Sequence, residues 1–74
     1  MVLGEEHVEL RLESTRRVVE SDETLDVDAA VAHAHHWAAE YGCTVLVLMC
    51  AADRCVERAR VYRNGHERRY AATG

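Results

Sequence analysis

The chain has no proline, phenylalanine, isoleucine, lysine or glutamine, and its four glycines are scattered singly. No stretch therefore has the composition of a flexible or polyproline linker. Nor is there a glycine-rich loop of the kind that cradles phosphates. The four glycines, Gly4, Gly42, Gly65 and Gly74, read as chain ends or turn punctuation. The longest apolar run, Val45 to Ala52, is far shorter than a membrane span. Missing lysine weakens the case for nucleic-acid binding, because all nine basic residues are arginine. Missing phenylalanine and isoleucine leave a thin core. Alanine supplies 11 of the apolar residues, which make up 49% of the chain.

That apolar fraction still argues against disorder. At 74 residues the chain is one small domain, spanning 1–74, with little room for a deep active-site cleft. A core this poor is expected to complete itself on a partner or a second copy. Three cysteines, Cys43, Cys50 and Cys55, form an odd set, and the N-terminus has no basic, then apolar, leader pattern. The expectation is a cytoplasmic protein with reduced thiols and no membrane association.

Residues 7–13 alternate. Val8, Leu10 and Leu12 point one way, and His7, Glu9, Arg11 and Glu13 the other. That is the period of a half-buried strand. Residues 16–21 return as a second strand around Ser14–Thr15. A single helix over 5–20 is the rival, since Glu9/Glu13 and Glu13/Arg17 also sit at helical spacing. After an acidic loop, Asp26 or Thr24 caps a helix over Val27–Tyr41, which Gly42 stops. Its buried stripe is Val27, Ala30, Val31, Ala34, Trp37, Ala38 and Tyr41. Residues 43–50 are almost continuously apolar, as in a strand buried on both faces. Residues 55–63 form a strand with Ala59 and Val61 on one face and Arg58, Arg60 and Tyr62 on the other. Asn64–Gly65 signals a type I′ hairpin leading to an edge strand over 66–71.

The order β-β-α-β-β-β is that of an α+β, two-layer sandwich, one helix on an antiparallel or mixed sheet. One helix covers one face, yet the central strand is apolar on both. Either Val45, Val47 and Met49 or Leu46 and Leu48 must lie on the uncovered side, which calls for a homodimer or a protein partner.

No nucleophilic catalytic signature, phosphate loop or paired carboxylates in an apolar setting are present, so no catalytic residue and no cofactor is assigned. Carboxylates on loops and exposed strand faces are expected to titrate normally. His33 and His36 share a helix face with Glu40 a turn on, but the spacing is not that of a zincin, and a solvated face is the reading kept. Cys50 and Cys55 flank a tight turn. His66 could add a third ligand and nothing supplies a fourth, so no metal is assigned.

Charge is unevenly spread: residues 1–42 net −7 and residues 54–74 net +4. The basic part holds Arg58, Arg60, Arg63, Arg68 and Arg69 with Tyr62 and Tyr70, the assigned partner-binding set. Arginine and tyrosine are the residues of protein interfaces. They also suit single-stranded nucleic acid, the alternative for this hairpin.

The segment Asp26–Val47 has an Ala-rich helix ending Glu40-Tyr41-Gly42, followed by an apolar strand. It resembles small phage-encoded anti-CRISPR proteins over about a third of the chain. That resemblance implies a stoichiometric inhibitor that binds a host protein complex and does no chemistry. Such proteins share no catalytic motif, so no residue role transfers.

Overall fold

The computed structural model describes residues 6–70. Five strands and one helix follow in the order expected: β1 (Glu6–Leu12), β2 (Val18–Asp22), α1 (Val27–Tyr41), β3 (Val45–Ala51), β4 (Arg54–Val61) and β5 (Glu67–Arg69). The sheet order is β2-β1-β3-β4-β5, and every pairing is antiparallel. The helix lies on one face, against β3, β4 and β1.

The helix begins and ends where its capping residues direct. Asp26 accepts from the Ala29 amide at 2.7 Å, and Asp28 places a negative charge in the first turn. Gly42 adopts φ 65°, and its amide returns to the Ala38 carbonyl. Ala30, Val31, Ala34 and Ala38 are buried, and their small side chains bring the helix close to the sheet. Val8, Leu10, Leu12, Val45, Val47, Ala59 and Val61 meet them from the strands. Tyr41, expected in this stripe, is 43% exposed. Its ring lies against that of Trp37, with centroids 5.8 Å apart, and does not enter the core.

Two local expectations are corrected. A type I′ turn at Asn64–Gly65 requires positive φ at both residues, and only Gly65 has it, at 90°. The Gly65 amide bonds the Tyr62 carbonyl and the Tyr62 amide bonds the His66 carbonyl, which makes a three-residue loop closed by a glycine bulge. Asn64 instead accepts the His66 amide on its side-chain oxygen. Gly65→Ala is therefore expected to cost about 1–2 kcal/mol from the positive φ alone, since a Cβ there meets nothing within 4 Å. Urea denaturation against wild type measures it, and an unchanged midpoint would contradict the turn geometry.

The second correction concerns β4. A bulge falls between Val47↔Ala59 and Leu48↔Glu57, leaving Arg58 as the extra residue. Alternation is reset there. Arg58 lines a surface recess with Met49, Val56 and Arg54 on the helix side, not on the face of Arg60.

Candidate interaction face

Antiparallel register fixes what stands on the helix-free face. One row across the sheet reads Val18, Arg11, Leu46, Arg60, Arg68. The next reads Ser21, Glu9, Leu48, Glu57, with Tyr70 reaching the end of the row to donate its hydroxyl to Glu57 at 2.7 Å. The third reads His7, Cys50, Cys55. Leu46 and Leu48 are thus the apolar residues on the uncovered side, while Val45, Val47 and Met49 face the helix. Leu46 is nonetheless 4% exposed within one chain. Arg11 and Arg60 stand directly beside it, and their aliphatic stems can cover it while the guanidinium groups stay wet. Leu48 remains half-buried.

The charges on this face are paired along their strands. Arg11 Nη2 lies 2.6 Å from Glu9 Oε1, and His7 Nε2 lies 2.8 Å from Glu9 Oε2. Arg60 Nε lies 2.7 Å from Glu57, and a second contact reaches Glu13 at 3.6 Å. Glu9 and Glu57 therefore do not titrate normally, contrary to expectation. Hydrogen bonding to His7, with Arg11 adding to it, holds Glu9 below the usual carboxylate range. The Arg60 bond, joined by the Tyr70 hydroxyl, does the same for Glu57. The same bond from the other side pushes the Tyr70 phenol up. Depressed carboxylates stabilise the fold fully above the ordinary glutamate value of 4.5 and lose that contribution as pH falls through their folded values. The melting temperature is expected to hold from pH 7 to about 5 and to drop below it. In Glu57→Gln that acid-side drop should shrink, which thermal melts across pH test directly.

Of the sequence-assigned set, Arg60, Arg68 and Tyr70 share this face, with the Arg68 guanidinium 5.3 Å from the Tyr70 ring centroid. Tyr62, two residues beyond Arg60, continues it by alternation. Arg63 sits in the hairpin recess with Tyr62, Asn64, His66 and Thr44. Arg58 and Arg69 lie on the helix side. Arg69 pairs with Asp28 at the helix start and with Glu67. Much of the charge asymmetry is thus spent inside the fold, where Glu13 and Asp28 of the acidic part meet Arg60 and Arg69 of the basic part.

His33 and His36 share one recess with Glu20, Ala32 and Trp37, while His35 points elsewhere. His33 bonds Glu20 on β2 at 2.8 Å, and His35 bonds Glu67 on β5 at 2.7 Å. His36 sets its ring edge against Trp37. His66 lies at the β4–β5 hairpin, whereas Cys50 and Cys55 flank the β3–β4 turn.

Those cysteines correct the reduced-thiol reading. They stand opposite each other and form a disulfide, leaving Cys43 free. An odd count excludes a full framework but not one bond. What the sequence reading missed is the company this pair keeps. His7 is directly across from Cys50, and Arg11 Nη2 is 3.8 Å from the Cys55 sulfur. The available signal was the polar side of the first strand, where His7, Glu9 and Arg11 alternate. Among the described residues no helix is long and apolar enough to cross a membrane. No family model, curated protein or solved structure matches this chain.

Proposed function

We propose that this protein is a non-enzymatic, cytoplasmic protein-binding module whose helix-free face meets a second copy of itself. The observation that carries this reading is the order of charges on that face: a row of arginines beside a row of glutamates, with Leu46 and Leu48 at the centre. Consider a two-fold axis in the plane of the face, running between those rows. It sets Arg11 against the other copy's Glu9 and Arg60 against Glu57, and it brings Leu48 over the arginine stems beside the other copy's Leu46. A single patch is thereby complementary to itself, as an isologous interface requires. A two-fold along the strands would instead oppose Arg11 and Arg60. Strand spacing and rise give the face about 24 by 23 Å, or roughly 1,100 Å² buried over two copies. That is the low end for a specific interface, so the dimer depends on concentration. A phage or mobile-element inhibitor of a host complex would engage its target through the same face.

The alternative of single-stranded nucleic acid is less well supported. The chain's net charge of −4 opposes a polyanion, and Arg68 already lies over the Tyr70 ring on which a base would stack.

Sedimentation across a concentration series tests the proposal. Wild type is expected to dimerise. Leu48→Arg, which leaves the strand flanked by Glu9 and Glu57 but faces the other copy's arginine row, is expected to stay folded and monomeric. Glu57→Arg should weaken the dimer about tenfold or more, and Glu57→Arg combined with Arg60→Glu should recover most of the loss. A wild type that remains monomeric at millimolar concentration overturns the reading, as does tight, salt-sensitive binding to oligonucleotides.

A further inference from the structure

The third row of the open face, with Glu9 of the second, gathers side chains of which the proposed dimer uses only Glu9. The ligand atoms of His7, Glu9 and Cys50 all lie within 4.8 Å of one another. Cys55, bonded to Cys50, brings a second sulfur next to this group. We propose that, with the Cys50–Cys55 bond reduced, these four residues bind one Zn²⁺-class ion, so that the disulfide acts as the switch closing the site.

The chemistry of the donors selects the ion. Two thiolates, one imidazole and one carboxylate form a borderline-soft set, suited to zinc and unsuited to calcium or magnesium. Metal–ligand lengths of about 2.0–2.3 Å put tetrahedral ligand atoms roughly 3.3–3.8 Å apart. Side-chain rotation has to close the remaining distance on a fixed frame: strand register holds His7, Cys50 and Cys55 opposite one another, and Glu9 lies two residues along β1 from His7 on the same face. Backbone pairing holds His7 to Cys50 and Cys50 to Cys55 whether or not the sulfurs are joined. The site is anchored as well: Cys50 is 1% exposed, while Cys55 is open to solvent. Arg11 completes the balance. It bonds Glu9 Oε1 and approaches the Cys55 sulfur, so its positive charge favours the thiolate and offsets the net −1 of a divalent ion with two thiolates and a carboxylate.

The redox step balances with a dithiol as reductant. One of its thiolates attacks the exposed Cys55 sulfur, the Cys50–Cys55 bond breaks, and a mixed disulfide forms. The second thiol then releases Cys55, and the reductant leaves as its own disulfide. Two electrons and two protons pass to Cys50 and Cys55. Those two protons are lost to solvent as the ion binds the thiolates. In a reducing compartment the site stands open, and after oxidation it is closed.

The sequence offers His66 as a third ligand beside Cys50 and Cys55 and no fourth, but the β4–β5 hairpin holds His66 at the far end of β4 from Cys55. The ligands come instead from β1, at the other end of the sequence.

The test uses the full chain and Co²⁺ as a spectroscopic probe. Reduced protein, freed of reductant under anaerobic conditions, is expected to take up one Co²⁺ per chain. It should show the strong visible bands of tetrahedral cobalt and a near-ultraviolet thiolate charge-transfer band. Oxidised protein should show neither. His7→Gln and Cys55→Ser should each weaken binding at least about tenfold, while His33→Gln combined with His36→Gln should leave it unchanged. On wild type, where no variant can misfold, Co²⁺ should protect Cys50 and Cys55 from alkylation and leave Cys43 reactive. Equal binding by the oxidised protein overturns the proposal. So does cobalt bound without the thiolate band, loss of binding in the His33/His36 variant, or alkylation of Cys50 and Cys55 at the metal-free rate.

Discussion

Val47→Glu is expected to leave no cooperatively folded protein at neutral pH. Val47 is fully buried at the centre of β3, beneath the helix, with Leu10 and Ala59 directly beside it on β1 and β4. A carboxylate there finds no donor among Ala30, Val31, Ala34 and Ala38. Burying an unpaired charge costs several kcal/mol even after relaxation, and losing the valine removes about 1.5–3 kcal/mol more. A domain of 74 residues has about 4–11 kcal/mol in total. Val47→Ala sets the scale, since it removes volume without adding charge. It should cost about 1.5–3 kcal/mol and still melt cooperatively. Circular dichroism melts of both variants, beside Leu48→Arg, read the two faces of one strand one residue apart. A folded Val47→Glu protein would mean that the helix does not seal this face.

The contrast between neighbours on β3 shows how much the sequence discloses. Its unbroken apolar run announced burial on both sides, and the structure supplies two different covers. For Val45 and Val47 the cover is the helix. For Leu46, 4% exposed, the register neighbours are Arg11 and Arg60, whose stems are long enough to cover it within a single chain. A residue count cannot see that, because a charged side chain scores as polar although most of its length is hydrocarbon. Local signals were well expressed. Val8, Leu10 and Leu12 set the first strand, Gly42 ends the helix as expected, and of the two cap candidates Asp26 and Thr24 the structure uses Asp26. What stayed hidden was non-local. β1 is inserted between β2 and β3, and only that order brings His7 to Cys50 and Glu9 beside Leu48. The bulge that turns Arg58 to the helix side was equally hidden, since one extra residue in a strand leaves no compositional trace.

Trp37→Ala is expected to be the most costly truncation on the helix, at about 3 kcal/mol. The position is half-buried, which places it at the low end of the 3–5 kcal/mol typical for removing a buried tryptophan. Two separable contributions make up that loss. The ring packs against the core cluster, between the His36 edge at 5.0 Å and the Tyr41 ring at 5.8 Å. Its Nε1 also donates to Glu20 Oε1 at 2.8 Å, tying the helix to the edge strand β2. Glu20 keeps its His33 contact in the variant, so its carboxylate is not stranded and the hydrogen-bond share should be near 1 kcal/mol. Trp37→Phe isolates that share, since it keeps most of the apolar area and removes the donor. Urea denaturation followed by circular dichroism should therefore order the three proteins as wild type, Trp37→Phe about 1 kcal/mol below it, and Trp37→Ala about 3 kcal/mol below. If Phe and Ala prove equally destabilising, the bond to Glu20 outweighs the packing of the ring. If neither differs from wild type, the helix is held by its alanine stripe alone. The small side chains of Ala30, Ala34 and Ala38 would then have to supply by close approach what the chain's single tryptophan does not.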